Sequence, residues 1–340
     1  PAMGLIAHMD TSPEASGEPA QWQVLNYQGG DIVLNKDKNI VLSLERFPGV
    51  AKYAGEQLVV TDGTTLLGAD DKAGIAIIVE TARYFVEHPE IPHAKLCFAV
   101  TPDEEVGRGT ENFDIEEFGA QYAYTFDGDE LGGFETETFN AAMVKVHFEG
   151  LNVHPGSAKN KMVNAIRMAM DFIARLPAES APEKTEGHEG FFHPMGISGA
   201  VRGVDLKMLI RDHSNSRFED RMNYVRKMVE EMNKVWGDRV SADIKVQYHN
   251  LKNYLDKHPA VCNLAREAYR RIGVEIHEKP VRGGTDGARL SAKGLPTPNL
   301  FTGGMNYHGV YECLSVTGIQ RALDLGIMLG KMSAEVKTLD

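Results

Sequence analysis

Cysteine is scarce in this chain: Cys97, Cys262 and Cys313 are widely spaced, odd in number and in no C-x-x-C pair. That argues against a disulfide framework and against a thiolate metal site, and it fits a reducing cytoplasm. Long apolar runs are missing as well. No stretch approaches the roughly 20 residues that cross a bilayer, so no membrane-spanning helix is expected. Positive charge is in deficit, with 36 Lys and Arg against 48 Asp and Glu and a formal net charge of -12. Nucleic acid and anionic lipid carry the same sign and are not expected partners; small molecules are. The opening run Pro1-Ala2-Met3-Gly4-Leu5-Ile6-Ala7-His8 has no basic region, apolar stretch and small-residue cleavage site in succession, so it is not a secretion signal. It also has no start methionine and begins directly on an apolar strand, and we expect further sequence to precede residue 1.

What is present is a chain of 340 residues, longer than one hydrophobic core usually supports. Two domains are the default, and one can interrupt the other. Hydrophobic residues at 42% and charged residues at 25% are ordinary for a globular protein. Short apolar runs alternate with amphipathic stretches: strand at Gly4 to Ala7, helix at Lys72 to Glu87, strands at Lys95 to Thr101 and Tyr122 to Phe126. This is the rhythm of an α/β layer, in which ligands gather at the carboxyl ends of strands.

The texture changes near Phe139. Strand-like Ala142 to Phe148, helix Met162 to Leu176, strand Val204 to Ile210, helix Ser216 to Trp236 and strand Ser241 to Tyr248 predict a compact inserted unit with helices on one face of a small sheet. Pro177 to Gly190, rich in Pro, Glu and Ala, reads as a surface loop. From about Tyr254 the first texture returns, with helices at Pro259 to Ile272, Ala288 to Lys293 and Thr317 to Met332. The expected division is therefore residues 1–138 and 250–340 as one interrupted domain, with 139–249 inserted.

Five segments put metal-ligand types at strand ends: His8-Met9-Asp10, Asp70-Asp71-Lys72, Asp103-Glu104-Glu105, Asp127-Gly128-Asp129, and His308. Each alone is weak, since H-x-D pairs arise by chance and acidic runs are usually solvated. Together they match what two cations about 3.5–4 Å apart require, namely a bridging carboxylate and separate terminal ligands. Imidazole with carboxylate favours zinc, with manganese or cobalt as alternatives.

Further motifs carry a resemblance. Gly-Ala-Asp-Asp-Lys-Ala-Gly at 68–74, Thr-Pro-Asp-Glu-Glu-Val-Gly at 101–107, Val-His-Pro-Gly at 153–156, Arg-Gly-Gly-Thr-Asp-Gly at 282–287 and Gly-Gly-Met-Asn-Tyr-His-Gly at 303–309 resemble the peptidase T family, in order and over nearly the whole chain. That family is of the carboxypeptidase G and acetylornithine deacetylase type of di-zinc hydrolases. The resemblance implies an α/β, zinc-peptidase-like catalytic domain with a mixed central sheet, interrupted by a smaller ferredoxin-like α/β lid. It implies hydrolysis of the N-terminal residue from tripeptides with a free N-terminus, and a monomer or homodimer.

Carried onto this sequence, the resemblance makes Asp70 the bridging carboxylate, His8 and Asp127 ligands of one metal, and Glu105 and His308 ligands of the other. Glu104 becomes the general base, and Asp10 the group behind His8 that fixes its ring. Aspartate at 127, where carboxypeptidase-like relatives tend to have glutamate, resembles the aminopeptidase branch. A lone histidine in a turn and a lone arginine are usually structural, but the resemblance makes His154 a group that polarises the scissile carbonyl. It likewise makes Arg211 and Arg282 a clamp for the substrate's terminal carboxylate. Two alternatives stay open: a related di-zinc deacylase or carboxypeptidase, and a truncated, inactive peptide-binding homologue. The second arises because, in the family, a substantial segment precedes the residues that match His8, and without it the sheet exposes an unpaired edge.

Overall fold

The computed structural model describes residues 1–18 and 21–339. It divides into two compact units, Pro1–Thr136 with Leu251–Lys279 and Thr285–Asp340, and Glu137–Asn250 with Pro280–Gly284.

In the first unit, six strands form a mixed sheet. They are β1 (Met3–His8), β6 (Leu96–Thr101), β7 (Tyr122–Gly128), β8 (Gly133–Glu135), β13 (His277–Glu278) and β14 (Asn299–Phe301), in the order β13-β8-β14-β7-β1-β6. β1 lies parallel to β6 and β7, whereas β8 runs antiparallel to β14. Every residue of β1 is buried, which is why its sequence is a continuous apolar run rather than an alternation.

Three long helices belong to this unit: α1 (Ala69–Glu87), α6 (Pro259–Ile272) and α8 (Val316–Ser333). Ile77 and Ile78 of α1, Ala265 and Tyr269 of α6, and Leu325 and Leu329 of α8 join Leu5, Tyr124 and Phe126 in one core. Truncating Phe126 to alanine there would cost about 3–5 kcal/mol. Two short helices, α2 (Ile115–Phe118) and α5 (Lys252–Leu255), and α7 (Asp286–Ala292) also belong to this unit. A second sheet contains β2 (Trp22–Asn26), β5 (Gln57–Thr61), β15 (Gly304–Met305) and β16 (Cys313–Ser315), and a ribbon pairs β3 (Ile32–Asn35) with β4 (Ile40–Leu42).

The second unit holds β9 (Asn140–Glu149), α3 (Ala165–Ala174), β10 (Phe191–Ala200), β11 (Gly203–Asp212), α4 (Asn215–Trp236) and β12 (Val240–Tyr248). Its antiparallel sheet has the order β10-β11-β9-β12, a β-α-β-β-α-β arrangement of ferredoxin type. Alternate residues of β9 and β11, such as Val144, Val146, Leu206 and Met208, pack with Met168 and Phe172 of α3 and Val225 and Met228 of α4. Ser214 caps α4 by accepting from the Arg217 N–H, and Gly237, in the left-handed region, ends it.

Two stretches differ from what the sequence predicts. The inserted unit has four strands rather than three, because Phe191–Ala200 forms β10; Pro194, Gly196 and Gly199 hide it, and most of the strand is exposed, so no buried face shows in the pattern. The strands between residues 22 and 61 are equally invisible, since β2 has no buried residue and β3 and β4 are three or four residues long. Residues 177–190 are largely exposed apart from Gly190, as expected of a loop, with a 3-10 turn at Pro182–Lys184.

Candidate metal centre

His8 ends β1 and Asp127 lies near the end of β7, so the parallel arrangement of the two strands delivers both side chains to one edge of the sheet. Asp70 enters from the start of α1. His8 Nε2 lies 2.9 Å from Asp70 Oδ1 and 3.3 Å from Asp127 Oδ1. On the other side, His308 Nε2 lies 3.1 Å from Asp70 Oδ2 and 3.1 Å from Glu105 Oε2. The result is two triads, His8-Asp70-Asp127 and Asp70-Glu105-His308, each with its ligand atoms within 4.8 Å of one another. Asp70 belongs to both and offers one oxygen to each.

Asp10 lies behind this cluster. His8 Nδ1 is 3.1 Å from the Asp10 carbonyl oxygen and 3.3 Å from its Oδ1, so the ring donates from Nδ1 and keeps Nε2 for a ligand role. The same carboxylate accepts the backbone N–H groups of Glu104 at 3.0 Å and Glu105 at 3.1 Å. One side chain therefore orients the imidazole and the turn that carries two further carboxylates.

The electrostatics are those of a site built around positive charge. Burial opposes ionisation of His8, yet its hydrogen bonds to Asp127 and Asp70 outweigh that and hold the ring far above the usual imidazole range. Burial likewise opposes ionisation of Asp70, and here the hydrogen bonds to His308 and His8 win and keep the carboxylate below its ordinary value. His308 is raised to about 10, chiefly by its hydrogen bond to Asp70 and then by that to Glu105. Burial pushes Asp127 up, with repulsion from Asp71 adding to it. Glu105 Oε1 is buried and has no hydrogen-bond partner among the described residues. A hard or borderline dication would supply what protons on the two imidazoles supply only in part, and would give that orphaned oxygen a partner; the donor set fits two such ions.

Glu104 is in neither triad. Burial, then repulsion from Asp286, raises its carboxyl to about 7, the range in which a group can both accept and return a proton near neutrality.

Several supporting groups were not anticipated from the sequence. Asp71 is fully buried; its Oδ2 accepts the His8 N–H at 2.9 Å and its Oδ1 the Gly74 N–H at 3.1 Å. A Cβ at Gly74 would run into the Phe126 carbonyl and the Asp71 carboxylate, so only glycine fits. Asn299 accepts the Asp127 N–H at 3.1 Å and the Thr125 hydroxyl at 2.8 Å, and donates to Glu135 at 2.6 Å. Asp286 accepts from the Thr101 hydroxyl at 2.7 Å. Only the acidic pair at 70–71 and the Thr-Asp of 285–286 left any trace in the motifs.

The remaining candidates lie in the second unit. His154 caps a short 3-10 turn: its Nδ1 accepts the Gly156 N–H at 3.1 Å, which leaves Nε2 as the protonated, outward nitrogen. Arg211, at the end of β11, donates to Gln247 at 3.0 Å and lies 5.3 Å over the Tyr248 ring. Arg282 donates from Nη1 to the carbonyls of Gly187 and Glu189, both at 2.9 Å, and from Nη2 to the Thr185 hydroxyl at 2.7 Å, with Phe139 and Phe191 beneath it. The fork that the resemblance assigns to a substrate carboxylate thus clasps the 185–189 loop.

Comparison with known proteins adds ancestry to geometry. Residues 136–237 match the family described as a peptidase dimerisation domain. Peptidase T of Clostridium acetobutylicum is 50% identical over 337 residues, which is 98% of this chain and 83% of that protein. Peptidase T of Parabacteroides distasonis is 47% identical over 334 residues, 98% of this chain and 82% of that protein. The crystal structure of aminopeptidase PepT from Bacillus cereus superposes with a TM-score of 0.77 at 25% identity, covering 98% of this chain and 81% of that one. A dinuclear metal-binding peptidase of the M20 family from Bacillus subtilis shares the fold, with a TM-score of 0.65 at 15% identity, covering 99% and 82% of the two chains.

Proposed function

The chain belongs to the peptidase T family, and from that premise we propose that it is a di-zinc aminopeptidase releasing the N-terminal residue of tripeptides with a free amino group. The observation that carries the reading is Asp70, whose two oxygens are divided between two imidazole-carboxylate triads. His8 and Asp127 would hold one ion with it, Glu105 and His308 the other. Zinc is preferred because both triads mix imidazole with carboxylate, and manganese or cobalt would also suit them.

When bound, two such ions would make a water nucleophilic near neutrality and polarise a carbonyl oxygen. The protein's own part is proton handling and orientation. Glu104, outside both triads, is the carboxylate that would take a proton from water and return it to the departing amine. Asp10 keeps the His8 tautomer fixed throughout. His154 can donate from Nε2 to the scissile carbonyl. Arg211 and Arg282 offer planar forks for the peptide's terminal carboxylate, and Arg282 would exchange its bonds to the Gly187 and Glu189 carbonyls and the Thr185 hydroxyl for it.

Residues 136–237 are the part through which we expect a second copy to bind, if the protein is a dimer. Among the described residues no helix is long and apolar enough to cross a membrane, and the three cysteines are free and buried. Both facts support a cytoplasmic location.

A panel of free and N-acetylated di-, tri- and tetrapeptides tests the specificity. Free tripeptides should be cleaved fastest, and turnover confined to the acetylated members would move the protein to the deacylases.

A further inference from the structure

We propose that Glu312 is a positioning residue whose buried carboxylate holds the loop bearing Asp70 and so sets the bridging oxygens for both triads. This rests on the di-metal reading above. Glu312 is 2% exposed. Its Oε2 accepts the backbone N–H groups of Leu67 and Gly68, both at 2.7 Å, and its Oε1 accepts that of Asp70 at 3.0 Å. Three donors converge on two oxygens. A carboxylate, which accepts and never donates, can take all three. Backbone N–H groups arrayed around one anion form a cradle of the kind that elsewhere receives phosphate, and here it receives a side chain of the same protein.

The cradle joins two ligand-bearing segments. Gly68 takes a left-handed φ of 74°, which bends the chain immediately before Asp70. His308 lies four residues before Glu312 in a turn where Asn306 and His308 also have positive φ, 58° and 63°, and the Glu312 N–H closes that turn on the Gly309 carbonyl at 3.2 Å. One side chain therefore ties residues 67–70 to residues 306–312 directly beside the place where His308 Nε2 meets Asp70 Oδ2. A metal site must be held to within about 0.5 Å of its working geometry by such supports.

The test uses the full chain with Zn2+ as the probe, its affinity read by competition with a chromophoric chelator. Wild type is compared with Glu312→Gln, which keeps the size but brings an amide donor against backbone donors. Glu312→Asp keeps the charge and draws the oxygens back by one methylene. The thermal midpoint of each chelator-treated protein is followed alongside. We expect E312Q to fold and to lose about 10–100-fold in zinc affinity at both sites, with kcat falling and KM little changed, and E312D to lie between. Variants that fold and bind two zinc ions within twofold of wild type overturn the proposal. If E312Q does not fold, E312D decides by the same criterion, and loss of the fold in both variants without metal would assign Glu312 to folding and overturn it too. A wild type that takes up fewer than two zinc ions instead overturns the di-metal reading, and this inference with it.

Discussion

The two triads share Asp70 but are built differently. In the inner one, His8 is 2% exposed and Asp127 13%, and each is backed by a dedicated support: Asp10 on the ring, Asp71 on the His8 N–H, Asn299 on the Asp127 N–H. In the outer one, Glu105 is 5% exposed but His308 is 44% exposed, on a turn of left-handed residues. A buried, fully braced imidazole on a central strand is fixed by the fold whether or not an ion is present. An exposed imidazole on a turn depends on Asp70 and Glu105 for its position, which makes the outer triad the adjustable side of the centre and the side open to solvent.

Asp70→Ala removes the oxygen of both triads at once and is the largest expected effect: metal analysis should find neither ion, with activity at background. Retention of one ion would show that the triads are more independent than their shared carboxylate implies. Next is Glu104→Gln, which touches neither triad. It should keep both ions while turnover falls by about 10²–10⁴-fold, the usual worth of a positioned general base; loss of metal in this variant would make Glu104 a ligand.

The imidazoles then separate the two halves. His308→Ala should lose one ion and keep the other, with little change in the thermal midpoint of the chelated protein. His8→Ala leaves buried carboxylates facing a cavity and should lower that midpoint clearly, by about 2–4 °C for each kcal/mol lost in a protein of this class. Equal midpoints for the two variants would erase the distinction drawn between the triads.

The smallest effect is in pH. In chelated protein the His308 cation is held by Asp70 first and Glu105 second, which raises it to about 10 from 6.5. A raised imidazole gives its full stabilisation below the unfolded-state value and loses it as pH climbs through the folded-state value. Stability of the metal-free protein should therefore decline from about pH 6.5 to about pH 10, less in H308A than in wild type, and only modestly because the ring is half exposed. Denaturant midpoints across that range would show it; identical slopes in the two proteins would mean that the His308 pair contributes nothing.

Much of this centre was legible before any coordinates. Strands β1 and β7 are long enough and buried enough to show as apolar runs, and ligand-type residues follow them at once, so the chemistry can be read from residue type and place. The supports were not legible. Asp71 looks like an echo of Asp70, Asn299 like any strand asparagine, and Glu312 like one more acidic loop residue, because a hydrogen bond to a backbone N–H 242 residues distant leaves no local signature. Strands β2 and β10 escaped for a related reason: their hydrogen-bond ladders hold them, while their exposed side chains carry no period.

The sequence by itself marked segments whose side chains could grip a metal, because imidazole and carboxylate are intrinsic to the residue and strand ends are marked by local hydrophobicity; the family resemblance chose among them. The resemblance had made Asp70 the bridge, but only tertiary structure decided how its two oxygens divide between the triads and that Glu312 holds its loop. Those facts depend on loops brought together by packing, and geometry between distant segments has no existence until the chain has folded.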